Sequence, residues 1–129
     1  MKEGENNSIS FSIDSIDSHA NGRSALHIAA SKGFLSICER LLSLGASIDL
    51  PDKDGETALL KASYQGHQEI VALLLSNNAN PALADKDGWS ALHNAASSGH
   101  GKVVRALIKY GVNPDIASKV SMYLAFLSL

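Results

Sequence analysis

The sequence is poor in the residues that build disulfide frameworks, metal centres and large aromatic cores. Its 129 residues contain one cysteine, Cys38, three prolines and only 5% aromatic residues. A single thiol excludes an internal disulfide and a multi-thiolate zinc site, and it is typical of a reducing compartment. Because valines stand at its equivalent positions, Val71 and Val104, we interpret Cys38 as a small buried hydrophobe.

Neither sign of charge dominates, and long apolar runs are missing. Eleven Lys and Arg oppose thirteen Asp and Glu, which gives a net charge of -2 and disfavours direct binding to nucleic acid. No run approaches the ~18 consecutive apolar residues of a transmembrane helix, so we expect no membrane insertion. The length predicts one domain, and we expect it in the cytoplasm, the nucleus or both.

What the chain does contain is a repeat with a period of 33 residues. Gly22, Gly55 and Gly88 are each 33 residues apart and open the similar runs GRSALHIAASKGF, GETALLKASYQGH and GWSALHNAASSGH. The same shift superimposes alanines, leucines and later glycines, such as Leu41, Leu74 and Leu107. A unit of this length cannot bury its apolar face alone, so the pattern predicts stacked units.

Within each unit the pattern predicts two short helices. Ser24, Thr57 and Ser90 are good N-caps for the first helix, because a hydroxyl can accept from an amide of the first turn. The second helix carries apolar residues at helical spacing and is predicted to stop at a residue that tolerates the left-handed conformation, namely Gly45, Asn78 or Gly111.

These features together resemble the ankyrin repeat: the 33-residue period, the Ser/Thr-x-Leu-His run, the Gly-His after the first helix and the Asp-x-x-Gly of the connector. The resemblance covers residues 19–117 as three units, 19–51, 52–84 and 85–117. It implies an all-α-dominated repeat solenoid, a stack of helix-turn-helix units with β-hairpin finger connectors and a concave groove. It also implies a non-enzymatic protein-interaction module in which no cofactor is expected.

The sequence departs from the family pattern at several positions. Alanine stands where the family usually has proline in all three units, and Leu60 replaces the histidine of the second unit. The 33-residue period also places His19 where Asp52 and Asp85 stand in the other units.

We interpret the histidines as scaffold rather than as ligands. His27 and His93 are two repeat lengths apart, about 20 Å if each unit adds a helix diameter, so they cannot share a metal ion. The resemblance implies that these two bond locally and hold adjacent fingers and helices together, and that His67 and His100, in the turns between helices, are also shape-keeping. No phosphate loop, HExxH or GxSxG motif is present, so no catalytic, cofactor-binding or metal-binding residue is predicted. A catalytic alternative would need a deep polar pocket at His19, at Tyr64 or at a histidine pair.

If the repeated positions are scaffold, specificity belongs to residues that vary from unit to unit on the groove face. Trp89 and Tyr64 are the expected anchors, because Trp and Tyr bring large area with a polar handle. The alternative is that Trp89 folds against its own finger and Tyr64 merely covers a helix end. The full predicted partner-binding set is Arg23, Lys53, Asp54, Glu56, Tyr64, Gln65, Lys86, Asp87 and Trp89, with Arg23 and Glu56 selecting the partner by charge.

The two ends allow alternatives. Residues 1–18 are either an improvised cap, since Ile9, Phe11 and Ile13 alternate as in a strand, or a partly disordered segment. Residues 118–129 begin a fourth unit and abandon its pattern. This apolar tail either covers the last unit or docks the chain, as a regulatory subunit, into a larger assembly. We expect a monomer, with a dimer through the tail as the alternative.

Overall fold

The computed structural model describes residues 12–112, which form six α-helices and one short 3-10 turn. The turn is Ser18–Ala20, and the helices are α1 (Ala25–Lys32), α2 (Leu35–Ser43), α3 (Ala58–Gln65), α4 (Gln68–Ser76), α5 (Ala91–Ser97) and α6 (Gly101–Lys109). The predictions for Ile9, Phe11 and the tail at 118–129 lie outside the described residues.

The first helix of each unit starts where its hydroxyl cap was predicted. The side-chain oxygens of Ser24, Thr57 and Ser90 accept from backbone amides of the first turn, at 3.5, 3.3 and 3.4 Å. The second helices are followed by residues with positive φ at the predicted stops, including Asn78 at 68°. Both sets of local predictions are confirmed.

The six helices form two rows, which confirms the predicted stack. α1, α3 and α5 pack side by side in one row, the inner row, and α2, α4 and α6 pack in the other, the outer row. Each helix also packs against the other helix of its own unit. Burial at equivalent positions shows the effect of stacking: Ile37 in the first unit is 49% exposed, whereas Ile70 and Val103 are each 1% exposed.

The core between the rows is built from small and medium aliphatic side chains of Ala, Val, Leu and Ile. Cys38 belongs to it and is fully buried. Burial, helped by the neighbouring charge of Glu39, raises the pKa of the Cys38 thiol to about 11. The thiol is therefore neutral, and its interpretation as a small buried hydrophobe is confirmed.

The connectors between units form tight fingers with only isolated bridges among residues 12–112. In the second finger, Asp52 N donates to Glu56 O at 2.9 Å and Gly55 N donates to Asp52 O at 3.0 Å. The Asp52 carboxylate accepts from the amides of Asp54 and Glu56, both at 2.9 Å. Asp85 repeats this pattern in the third finger. An aspartate that closes its own turn thus defines each finger.

In the first finger this aspartate is Asp17, so the expected equivalence of His19 with Asp52 is wrong. Asp17 N donates to Arg23 O at 3.0 Å, and Gly22 N donates to Asp17 O at 2.9 Å. The closing residues are six positions apart instead of the four between Asp52 and Glu56, and the Ser18–Ala20 turn takes up the difference. His19 lies in this insertion with 97% of its side chain exposed.

The chain ahead of the first finger follows the connector pattern. Asp14 accepts from Ser47 N at 2.7 Å and from Ser47 Oγ at 2.6 Å, just as Asp49 accepts from Asn80 N at 3.0 Å. The bonds from Ser47 hold the pKa of Asp14 below its ordinary value. Residues 12–17 therefore pack as the end of a connector, and the alternatives for the cap concern the residues before them.

Candidate functional site

The tips of the three fingers are joined by backbone hydrogen bonds. Lys53 N donates to Asn21 O at 3.0 Å, and Lys86 N donates to Asp54 O at 2.9 Å. Asn21, which adopts the left-handed conformation at φ 61°, also donates from Nδ2 to Asp54 Oδ2 at 2.6 Å. The fingers therefore form one connected edge along the inner row.

His27 ties the first unit to the second. Its Nδ1 accepts from Ser24 N at 3.0 Å, so its Nε2 carries the proton and donates to Glu56 O at 2.9 Å. Burial lowers the pKa of His27, and the bond to Glu56 O offsets this only in part. The ring is a neutral bridge from a helix cap to the next finger, which confirms the scaffold interpretation.

His67 and His100 join units at the opposite end of the inner helices. Their Nε2 atoms lie 2.9 Å from Ser31 O and Tyr64 O, the last-turn carbonyls of the preceding inner helices. The His100 ring packs directly on Gly66, where an added Cβ would lie 2.6 Å from Nδ1. The shape-keeping role predicted for these histidines is thus a bond from each to the preceding unit, which the sequence had not indicated.

The second unit contains a buried ion cluster that sequence reasoning missed. Lys61 is only 7% exposed, and its Nζ lies 2.9 Å from Asp52 Oδ2 and 2.6 Å from Glu56 Oε1. Arg23 Nε lies 3.9 Å from Asp52 Oδ2. We call Arg23, Asp52, Glu56 and Lys61 the Asp52 cluster. The available signal was a lysine at 61 where the other units have Ile28 and Asn94.

The Asp52 carboxylate is fully buried yet ionised. Burial by itself raises the pKa of Asp52, but the Lys61 ammonium and the amides of Glu56 and Asp54 outweigh it and lower the pKa below its ordinary value. A carboxylate buried in this way depends on Lys61, because the nearest other cation is Arg23, whose Nε lies 3.9 Å from Asp52 Oδ2 and whose side chain is 44% exposed.

The cluster limits what two of the predicted partner-binding residues can offer. Glu56 is only 29% exposed at its side chain and binds Lys61, and the Arg23 guanidinium faces Asp52 with 44% of the side chain exposed. Selection of a partner by these two charges remains a prediction.

The fingertip charges fall into two groups. Lys53 Nζ donates to Ser18 O at 3.1 Å, and Asp54 accepts from Asn21, so both serve the joint between the first two fingers. The side chains of Lys86 and Asp87 are exposed and make no hydrogen bond or ion pair with any residue in 12–112. Of the three fingers described, the third is therefore the one whose charged side chains make no bond to another of the three.

Trp89 sits at the base of the same finger. Its ring lies edge-to-face on His93, with centroids 5.7 Å apart and planes at 66°, and the residue is 40% exposed. The indole thus packs on the inner helix of its own unit and still presents part of its surface. His93 is itself fixed by the Ser90 cap, with Nδ1 2.8 Å from Ser90 Oγ, so the indole rests on a rigid support.

Tyr64 and Gln65 lie at the end of the inner helices opposite to the fingers. Tyr64 is 57% exposed at the last turn of α3, beside the exposed Gln65. Trp89 precedes the first turn of α5. Along the helix axis, about eight residues, or about 12 Å, separate the level of Trp89 from that of Tyr64. The structure does not bring the aromatic residues together, so only an extended partner surface can touch both.

Residues 12–112 contain no group of three or more His, Cys, Asp or Glu side chains placed to hold a metal ion. Within the same range, no helix has the length and apolar character needed to cross a membrane.

Stacked helix pairs with an edge of linked fingers define a repeat protein of the interaction class. Comparison with known families agrees, since the model of ankyrin repeats matches residues 26–119 in three copies. The chain belongs to the ankyrin repeat family, whose fold is a generic, non-enzymatic module for protein–protein interaction. No curated protein matches the chain.

Proposed function

We propose that this chain is a non-enzymatic adaptor-type module that binds a protein partner through its third finger and inner row. The observation that carries the proposal is the third finger itself. The side chains of Lys86 and Asp87 make no bond to the first or second finger, and Trp89 is braced on His93 with part of the indole exposed. Tyr64 and Gln65 extend the same surface to the far end of α3.

The surface supports binding without folding on contact. The backbone bonds between fingers and the His27 bridge to the second finger fix the positions of the tips before a partner arrives. A preformed surface loses little conformational entropy on association, which leaves more of the contact energy for affinity. The first two fingers and the Asp52 cluster then serve as the platform, and the third finger makes the contact.

The chemistry of this finger suits a partner surface of mixed polarity. One cation, one anion and an indole edge favour a partner that offers an acid, a base and a shallow apolar pocket. An inhibitor, an assembly chaperone, an adaptor or a co-regulator could each use such a contact, and we expect the module to work as a monomer in the cytoplasm, the nucleus or both.

The test compares partner capture by the intact chain with capture by a variant carrying Trp89→Ala and Tyr64→Ala. The matched control carries Phe34→Ala and Leu44→Ala, which removes two exposed apolar side chains that belong to neither proposed surface. Proteins retained from a lysate are identified by mass spectrometry, and circular dichroism confirms that all three proteins are folded. We expect a partner that is lost only with the first variant.

Equal capture by all three proteins contradicts the proposed surface. A partner lost only when the chain ends after Ala117 would instead assign the function to the apolar tail and support the regulatory-subunit alternative.

A further inference from the structure

The exposed face of α6 carries a stripe of positive charge. Lys102, Arg105 and Lys109 are spaced three and four residues apart, so they lie on one side of the helix, and all three are exposed. No acidic residue occurs in α6, and no carboxylate of residues 12–112 lies within 4.0 Å of these cations. The stripe has no internal partner within the described range.

The stripe borders an open groove between α4 and α6. The groove has a volume of about 420 Å³. The half-buried Ala72 and Ala106 leave the space between the two helices open, and the exposed ring of Tyr110 stands at the end of α6. Besides Ala106 its lining is Gln68, Ala72, Lys102, Arg105, Lys109 and Tyr110.

The fold does not require these cations, because the 33-residue repeat supplies two internal comparisons. The equivalent positions are Glu69, Ala72 and Ser76 in α4, and Ser36, Glu39 and Ser43 in α2. These positions therefore carry one negative charge in the first unit, one in the second, and three positive charges in the third. At these three positions the charge of the outer row thus changes sign along the stack, although α2 also carries Arg40 beside Glu39.

We propose that the groove between α4 and α6 binds a short acidic peptide segment of a protein partner. From Lys102 to Lys109 the helix rises about 10.5 Å, a distance that about three residues of extended chain span. A segment with three carboxylates within about four residues matches the stripe, while its backbone lies over the alanine floor and its end meets Tyr110.

The charges on the neighbouring helices favour a short segment over a broad polyanion. A membrane surface or a nucleic-acid duplex lying across the outer row would meet the carboxylates of Glu69 and Glu39 on α4 and α2. A peptide running along α6 avoids them. This site lies on the outer row, so it is independent of the finger surface proposed above, and either can fail while the other stands.

The test measures binding of a fluorescein-labelled hexaglutamate peptide to the intact chain by fluorescence anisotropy at low salt, where exposed charges are least screened. A hexaglutamine peptide is the matched neutral probe. The site variant carries Arg105→Gln and Lys109→Gln, and the control carries Lys32→Gln and Arg40→Gln, so each loses one lysine and one arginine charge.

We expect the glutamine peptide to bind at least about tenfold more weakly than the glutamate peptide, and the site variant to lose about fivefold or more, since an exposed ion pair contributes up to about fivefold. The control and a Trp89→Ala, Tyr64→Ala variant should stay within about twofold of the intact chain. Three results overturn the proposal: no binding of hexaglutamate, equal losses in both charge variants, or tighter binding to phosphatidylserine vesicles or an oligonucleotide than to the peptide.

Discussion

The first and second units stabilise their equivalent inner helices, α1 and α3, by different chemistry. In the first, His27 bridges the Ser24 cap and Glu56 O as a neutral hydrogen-bonded ring. In the second, Leu60 occupies the histidine position, and the adjacent Lys61 holds the finger of its own unit through Asp52 and Glu56. The repeat therefore specifies where a helix must be held, and each unit can meet that need with different groups that fail under different conditions.

Removing Lys61 from the Asp52 cluster should lower the free energy of unfolding more than any other change considered. Lys61→Met leaves the buried Asp52 carboxylate with only the half-exposed Arg23 at 3.9 Å, and loss of one partner of a buried pair costs about 3 kcal/mol. Urea unfolding of the variant and the intact chain measures the difference in the free energy of unfolding.

The matched control replaces both partners. Asp52→Asn keeps an oxygen that accepts from the amides of Asp54 and Glu56, so the double variant Asp52→Asn, Lys61→Met should cost clearly less than the sum of the two single changes. Additive costs would show that the two groups do not act as a pair.

The joint between the second and third units can be broken at Gly66. Alanine there must adopt φ near 80° and place its Cβ 2.6 Å from the His100 ring, and strain and overpacking together cost about 3 kcal/mol. Gly99→Ala is the control, because it has a similar φ of 76° but meets no atom within 4 Å in the described part of the chain. Its cost should be about 1 kcal/mol. Equal costs in thermal or urea unfolding would mean that the His100 ring moves aside freely.

The substitution His27→Leu removes the neutral histidine bridge and gives the first unit the leucine that the second unit has at this position. The lost hydrogen bonds should cost about 1–2 kcal/mol at neutral pH. Because the pKa of His27 is lowered in the folded chain, the unfolded chain takes up a proton first as the pH falls below about 6.5. The stability that depends on the neutral ring is thus present above that pH and lost below it.

Unfolding by urea at pH 7.5 and 5.5 tests this sign. The variant should lose less stability between the two pH values than the intact chain does. An identical loss in both would exclude His27 as a source of the pH dependence.

The reverse exchange, Leu60→His, should have the smallest effect. It trades a buried aliphatic contact for a capping bond to Thr57, so the two changes largely cancel and the free energy of unfolding should move by less than about 1 kcal/mol. A loss above about 2 kcal/mol would show that a histidine at position 60 cannot replace the leucine in the second unit.

Much of this fold could be predicted because it depends on local chemistry. Ser24, Thr57 and Ser90 cap helices through atoms three residues away, so the sequence alone indicates them. The register of the first finger could not be read from the period, because two inserted residues move its aspartate to Asp17. A signal existed in the shared pair Ile13-Asp14 and Ile48-Asp49, which marks the connector on both sides.

The candidate site was less predictable. Glu56 looked free in the sequence because Lys61 reaches it only after the finger folds over α3. The side chain of Lys53 bonds to the first finger, whereas that of Lys86 bonds to neither of the first two fingers, and this difference likewise depends on contacts between units. The position of a residue in the repeat thus predicts well where its side chain lies. It predicts poorly whether that side chain is free to bind a partner.

The first finger also has a practical consequence for engineering. It keeps the closing hydrogen bonds of Asp17, Gly22 and Arg23 around two extra residues, and the inserted His19 projects into solvent. Loop closure becomes only slightly more costly as a surface loop grows. A recognition sequence or an affinity tag grafted beside His19 would therefore be displayed at a fixed position on the stack while the helices behind it keep their register.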